Sequence, residues 1–499
     1  MNIRVFLRHF YQFLLKKNKN NLSLEIIHGS VWTFITQIFT RLLTFARTII
    51  LARLLSPHDF GLMGIAFLAL SALQTFSETG VNAALIYKKE NTRDDLCVAW
   101  TVRLLRSVLI AVLLFVFAPQ ISSFFNNNEV INIIRLIAIG QLFYGFSNIA
   151  IIRFQKEIEF HKYFLFSICS VLPEVIIAIW LAILLKSVWA LVAGYLVGSF
   201  SYCIFSYVFC PFVPRFSLSG VHLKSLLKYG KWIWASTIII FLITQGDDIF
   251  VGKFLGTAAL GMYQLAYRIS NLPATEIVHV ISRVAFPAYV KLRENLSKLA
   301  VMYLNFLRFS TLIAFSISFL LLSLSYPFVF YVLGGKWINI INSMRVLCIF
   351  ACLRSIGVLN GSLFRALGYP DFETKLSLMK LLLMAVFIYP LGIKYGIVGV
   401  ALSTTLPSFF HNFYGLYLVA KKINVGFSVF CKVILVSFLV ALFCLIFSKF
   451  SFSFIHFLTQ KHLLSLFFSA IIGLIPLGLF LYLFLLKRSF YGRVCLKYW

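Results

Sequence analysis

The sequence predicts an all-α membrane protein with about 14 transmembrane helices, arranged as two pseudo-symmetric six-helix lobes followed by two C-terminal helices. Composition, loop charge and an internal repeat carry that prediction. Of the 499 residues, 61% are hydrophobic and only 12% are charged, and the mean hydropathy is +0.93. Soluble chains are about half apolar and about a quarter charged, so this chain has too few polar side chains to clothe a soluble surface. The net charge of +29 would point to nucleic acid in a soluble protein. In a membrane protein it is explained by Lys and Arg gathered in cytoplasmic loops, so no nucleic-acid partner is expected. The 55 Phe suit lipid-facing helices.

Apolar windows between charged punctuation place spans at 30–55, 60–86, 96–118, 130–152, 163–185 and 188–212. A second group follows at 231–252, 258–287, 299–325, 341–366, 373–393 and 396–420, with a last pair at 427–448 and 463–486. The expected organisation is a segment 1–29, an N-lobe 30–225, a C-lobe 226–425, and 426–499 holding the last two spans and a tail. Segment 1–29 is basic at Arg4, Arg8, Lys16, Lys17 and Lys19, with an apolar stripe through Phe6, Phe10, Phe13 and Leu14. It reads as a cytoplasmic interfacial helix, not a cleavable leader.

Loop charge alternates. Lys88, Lys89 and Arg93 lie on one side, joined by Arg153, Lys156 and Lys162, then Lys224 and Lys228, then Lys291 and Arg293, then Lys421 and Lys422. The opposite loop 119–129 has no Lys or Arg. The asymmetry puts both termini in the cytoplasm and requires an even number of spans.

A shift of 200 positions aligns two segments: Ile50-Leu-Ala-Arg-Leu-Leu-Ser-Pro-His-Asp-Phe-Gly-Leu-Met63 with Phe250-Val-Gly-Lys-Phe-Leu-Gly-Thr-Ala-Ala-Leu-Gly-Met-Tyr263. Arg53 meets Lys253, Gly61 meets Gly261 and Ala66 meets Ala266. Both segments join the first and second spans of a six-span group, so the lobes share one topology, as in transporters with parallel repeats.

Several spans carry polar stripes. The first holds Thr33, Thr36, Gln37, Thr40, Arg41, Thr44, Arg47 and Thr48 on one face. The second carries Ser71, Gln74, Thr75, Glu78 and Asn82, the seventh Thr237, Thr244, Gln245, Asp247 and Asp248, and the eighth Gln264, Arg268, Asn271 and Thr275, with Glu276 adjacent. Because these helices are equivalent members of two lobes, the pattern predicts a central hydrophilic cavity. Charges deep in a membrane are costly, which makes Arg41, Arg47, Arg268 and Arg354 the candidate ligands of an anionic headgroup, with Gln37 and Asn271 beside them. Arginine forks suit phosphate oxygens. Glu78, Glu174, Asp248 and Glu276 are candidates either for binding a coupling ion or for structural ion pairs. Arg103, Arg106, Arg135, Arg308, Lys380 and Lys432 sit where long side chains snorkel to an interface.

No GxxxxGK[ST] phosphate loop, nucleophile elbow, HExxH or His/Cys metal cluster occurs in the sequence, so no cofactor, metal or enzymatic centre is expected. Outer loops are short, against a membrane glycan polymerase or ligase.

The run Ala52-Arg-Leu-Leu-Ser-Pro-His-Asp-Phe-Gly-Leu62, with Ser77-Glu-Thr-Gly80 and Ala83-Ala-Leu-Ile86, resembles the opening of Wzx-type polysaccharide flippases. Leu359-Asn-Gly-Ser-Leu-Phe-Arg-Ala-Leu-Gly-Tyr-Pro-Asp371 and Tyr395-Gly-Ile-Val-Gly-Val-Ala-Leu402 extend the likeness, which is greatest to the colanic-acid-exporter group. These flippases form the polysaccharide-transporter branch of the multidrug/oligosaccharidyl-lipid/polysaccharide exporter superfamily. The resemblance implies two six-helix lobes in a bacterial inner membrane, flipping undecaprenyl-diphosphate-linked oligosaccharide from the cytoplasmic to the periplasmic face by alternating access. It also implies proton or sodium coupling and work alongside a polysaccharide polymerase and chain-length machinery. The rival readings are a flippase for the peptidoglycan precursor lipid II and a drug or cation antiporter of the same superfamily. An antiporter would call for an acidic cavity, whereas this one leans to arginine.

Overall fold

A computed structural model of the chain describes residues 22–78, 80, 81, 85, 92–157, 159–217, 231–273 and 278–482. The start of the basic N-terminal segment, the C-terminal tail, Asn82, Thr275 and Glu276 lie outside the described residues, as does the side chain of Thr237. Every regular element among the described residues is helical, and ten helices are long and apolar enough to cross a membrane. The longest, Pro370–Lys422, is two helices met at Gly396, whose φ of 59° and ψ of −140° no helix contains. Only glycine adopts that geometry without strain. The chain divides into two compact units, Met1–Ile238 and Ile239–Trp499.

In the first unit the helices are α1 (Leu22–Leu54), α2 (Pro57–Phe76), α3 (Arg93–Phe125), α4 (Val130–Phe146), α5 (Phe160–Leu185) and α6 (Trp189–Phe209). α5 packs on α1 and α6, α6 on α4, and α4 on α2 and α3. Local chemistry sets the starts. Ser56 caps α2 in a reciprocal box with Asp59, with Pro57 in the first turn, and Thr92 and Asp95 do the same for α3. Such boxes satisfy the free N–H groups of a first turn. Gly194 and Gly198 let α6 lie close on α5. A Cβ at Gly194 would fall 2.7 Å from Ala178 Cβ, and one at Gly198 would fall 3.0 Å from Glu174 Cβ. Small residues four apart permit such approach in membranes.

Two helices here are shorter than the sequence predicts. The second span, expected to reach residue 86, breaks after Phe76, where Arg106 takes the Gln74 carbonyl, the Ser77 hydroxyl and the Glu78 carboxylate, and Val81 and Leu85 beyond the break are helical again. The fourth was expected to reach 152, yet α4 stops at Phe146, where Asn148 turns away to donate to the carbonyls of Cys210 and Phe212, at 2.6 and 2.8 Å. α3, by contrast, runs through Pro119 into residues expected to be loop.

The second unit holds most of α7 (Lys231–Phe250), then α8 (Thr257–Ser270), α9 (His279–Leu292), α10 (Leu296–Ser323), α11 (Ile341–Ala366), α12 (Pro370–Lys422), α13 (Phe427–Thr459) and α14 (His462–Gly473). Within the expected eighth span α8 ends at Ser270 and α9 begins at His279, and residues 274–277 lie outside the described residues. α11 is the hub, packing on α8, α9, α10 and α12, while α13 lies against α10 and α14. The contacts repeat those of the first unit. α2 on α4 recurs as α8 on α11, α3 on α4 as α10 on α11, and α1 on α5 as the end of α7 on α12. Gly61 and Gly261, and Ala66 and Ala266, are buried in their respective units. The aligned segments therefore occupy matching packed positions.

Candidate functional site

α2, α3 and α4 wall a chamber of about 540 Å³ inside the first unit. Its cations come from one face of α3, Arg103 and Arg106. Arg106 is held by a 3.0 Å ion pair to Glu78 Oε2 and donates through Nε to Ser77 Oγ at 3.0 Å. Arg103 lies over the Tyr144 ring, 4.3 Å from its centre, within hydrogen-bonding reach of Tyr202, and its Nη2 is buried. Gln74 Nε2 donates to Gln141 Oε1 at 3.0 Å, and Gln141 Nε2 to Ser107 Oγ at 3.3 Å, forming a chain of neutral amides along the wall. α3 and α4 close tightly beside it, since a Cβ on Gly145 would stand 2.4 Å from Ser107 Cβ.

The second unit has its own pocket of about 230 Å³, lined by α7, α8, α11 and α12. Arg354 Nη1 donates to Tyr267 OH at 3.0 Å, and Lys380 Nζ stands 5.1 Å above the Phe350 ring. Thr244, Glu373 and His411 also line it, with Asn360, Ser377, Ser408 and Asn412. Nearby in the same unit, Tyr263 OH donates to buried Asp247 at 2.7 Å and Gln264 to Asp248 at 3.0 Å.

The expected site residues fall at several places in the two units. Of the four candidate arginines, Arg354 alone lines either chamber. Arg47 is ion-paired with Glu174 of α5, so the pair ties α1 to α5. Arg41 is exposed and Gln37 half-buried on α1. Arg268 is exposed on α8, while Asn271 is buried and donates to Tyr267 O within its own helix at 3.2 Å. Glu78 faces Arg106, and Asp248 accepts from Gln264, with Arg268 close enough to act on it electrostatically. Glu276 lies outside the described residues. The threonine stripe of α1 turns inward on itself. Thr36, Thr40, Thr44 and Thr48 donate to the carbonyls four residues earlier, at 2.8, 2.7, 2.9 and 2.8 Å. A hydroxyl satisfied by its own helix does not require a wet face.

Arg103, Arg106 and Lys380, which the sequence assigns to snorkelling, line chambers instead. A signal for the first two was present: residues 103, 106 and 107 share a helical face, opposite a second-span stripe whose Gln74, Thr75 and Glu78 all line the same chamber. Among the described residues, no three or more His, Cys, Asp or Glu are grouped to hold a metal ion.

Residues 50–342 match the family described as polysaccharide biosynthesis protein, more than half of the chain. The chain belongs to this family. Its curated relatives include the lipopolysaccharide biosynthesis protein WzxC of Escherichia coli (strain K12), 26% identical over 81% of this chain and 82% of that one. The teichuronic acid biosynthesis protein TuaB of Bacillus subtilis (strain 168) is 27% identical over 84% and 87% respectively. Among solved structures, the lipid II flippase MurJ in an inward closed conformation aligns with a TM-score of 0.71 and 16% identity, covering 93% of this chain and 99% of that one. An inward-facing multidrug resistance MATE transporter of the MOP superfamily aligns with a TM-score of 0.59 and 18% identity, covering 78% and 98%. At those identities the structural likenesses establish the fold alone, a multi-span helical membrane bundle.

The motifs that resemble this family have mechanical roles here. In the Ser-Pro-His-Asp run, Asp59 both caps α2 and accepts from Val188 N at 2.9 Å, pinning the α1–α2 corner to the start of α6. In the Asn-Gly-Ser run, buried Asn360 accepts from Tyr303 OH and donates to Asn412 O at 3.3 Å, joining α10, α11 and α12.

Proposed function

We propose that this member of the polysaccharide biosynthesis family is a flippase for undecaprenyl-diphosphate-linked oligosaccharide repeat units. It would carry them from the cytoplasmic to the outer face of a bacterial cytoplasmic membrane for O-antigen, capsule or exopolysaccharide assembly. The observation that carries this reading is an arginine-bearing, amide-lined chamber inside a helical membrane fold of that family. An anion is the natural ligand of a desolvated guanidinium. The names of WzxC and TuaB, each a surface-polymer biosynthesis protein, support the same cargo class. We assign the energy to a proton or sodium gradient acting through alternating access, both termini to the cytoplasm, and the consumer of the flipped unit to a polysaccharide polymerase with its chain-length partner.

The purified protein in vesicles, given fluorescent undecaprenyl-diphosphate-linked oligosaccharide, tests this. The lipid should move between leaflets well above the rate in protein-free vesicles. Equal rates with and without protein would overturn the reading. Movement of lipid II but not of the oligosaccharide lipid would transfer it to the peptidoglycan precursor.

A further inference from the structure

We infer that residues 210–217, which follow α6, form a releasable strap that gives out chain to the connection with α7 as the protein cycles. The inference rests on the alternating-access reading above and adds a moving part to it.

The sequence builds the strap. Pro211 cannot continue α6, and Cys210 before it is extended at φ −134° and ψ 93°. Pro214 biases Val213 away from helix in the same way. The stretch 211–217 accordingly forms neither helix nor strand. Its first part is firmly anchored. Buried Asn148 donates from Nδ2 to the carbonyls of Cys210 and Phe212, its Oδ1 accepts from Ala150 N at 3.0 Å, and its own N–H donates to Ser206 Oγ at 2.8 Å. Cys210 and Phe212 also pack in an apolar cluster with Leu96, Ile149 and Phe166. A buried amide with every partner in place is costly to undo.

The second part is held lightly. It meets the start of α3 through two backbone groups: Arg215 N donates to Cys97 Sγ at 3.4 Å, and Ser217 N to Thr101 Oγ1 at 3.0 Å. A thiol sulfur is a weak acceptor. Val213 and Phe216 stand outside the apolar cluster, 73% and 62% exposed. Few buried contacts mark a segment that opens locally. Two net hydrogen bonds leave the open form about 1–10% populated. Opening moves the point where the connection to α7 is tethered from Ser217 back to Phe212, which gives that connection up to about 16 Å of further chain. Lobes that rock against each other need such length in one state and not in the other. The strap also carries its own reporters. Buried Cys97 is touched by the releasable part, and buried Cys210 lies in the anchored part.

The test treats the purified full chain in vesicles with N-ethylmaleimide and reads the rate at each cysteine by mass spectrometry. In wild type, Cys97 should react about tenfold faster than Cys210, the factor that one hydrogen bond supplies. Thr101→Val keeps the side-chain shape and removes the acceptor of Ser217 N. It should raise the Cys97 rate about tenfold again and leave Cys210 unmoved. Asn148→Ala should raise both rates; if it folds poorly, the Thr101→Val comparison stands without it. Amide exchange gives a second reading, since the N–H groups of Arg215 and Ser217 should exchange faster than that of Phe212, which donates to Cys210 O at 2.7 Å. Undecaprenyl-diphosphate-linked oligosaccharide should raise the Cys97 rate further, because cycling visits the released form. Slow and equal reaction of both cysteines, unmoved by Thr101→Val, would show a static strap and overturn the inference. A Cys97 rate indifferent to the oligosaccharide lipid, in vesicles where that lipid flips, would also overturn it and leave the flippase reading intact. If the lipid does not flip, the flippase reading fails, and the strap's part in transport with it.

Discussion

α1 and α3 of the first unit each bring two arginines into the membrane, and the two pairs do different work. On α1, Arg47 is matched by Glu174 and the threonines are matched by their own backbone, so the most polar span of the sequence is largely self-satisfied. On α3, set in an otherwise apolar sequence, Arg106 grips the end of α2 and Arg103 lies over the Tyr144 ring at the chamber wall. The polarity of a helix therefore does not identify a lining. What identifies it is whether the polar atoms already have partners when the helices have packed.

Variants can break that contrast. The largest effect should come from Arg47→Ala, which strands Glu174 in a membrane helix and should cost about 3 kcal/mol of stability. Removing both partners, Arg47→Ala with Glu174→Ala, should recover most of the loss in thermal unfolding of the detergent-solubilised protein. A single variant as stable as wild type would return Arg47 to the list of substrate ligands. Next, Gly145→Ala forces α3 and α4 apart at Ser107 and should cost about 2 kcal/mol, with transport falling alongside. Full activity and full stability together would mean the chamber wall is looser than its contacts imply. Third, Arg106→Lys keeps the charge but loses the fork, and transport in vesicles should fall about tenfold, near 1.4 kcal/mol. An unchanged rate would reduce Arg106 to a point charge. The smallest effect belongs to Thr40→Val on α1, which should move stability by less than about 0.5 kcal/mol and leave transport alone. A large transport loss there would revive the polar stripe of α1 as a functional surface.

Much of the architecture was legible because it rests on quantities a sequence carries directly. Apolar run length marks the helices, and the corner motifs at Ser56–Asp59 and Gly256 repeat at the same offset in packed positions of both units. Helix ends were less legible where distant groups decide them. α2 ends at a guanidinium contributed from α3, and α4 ends where Asn148 reaches the carbonyls that follow α6. The site divides in the same way. Arg354 could be chosen from its depth alone, whereas Arg103 and Lys380 look like snorkelling residues until the neighbouring helices show that their path leads inward. The pairing of Arg47 with Glu174 needs α1 and α5 side by side, which spacing along the chain does not reveal.

Two corners of the second unit share one construction. α7 runs into a π-helical stretch, Val251–Leu255, and a second such stretch, Phe328–Leu333, follows α10 after the short helix Ser325–Pro327; each is followed by a glycine, Gly256 at φ 92° and ψ 171° or Gly334 at φ 105° and ψ 162°. Each glycine N–H returns to a carbonyl five residues back, Val251 at 3.0 Å and Val329 at 2.9 Å. α8 begins directly after Gly256, and a 3-10 segment, Gly335–Ile340, leads from Gly334 into α11. Such corners hold no slack. A hinge needs residues able to absorb rotation, and these spend their backbone freedom on a single geometry reserved for glycine. A push on α7 is therefore delivered to α8, as by a bell crank.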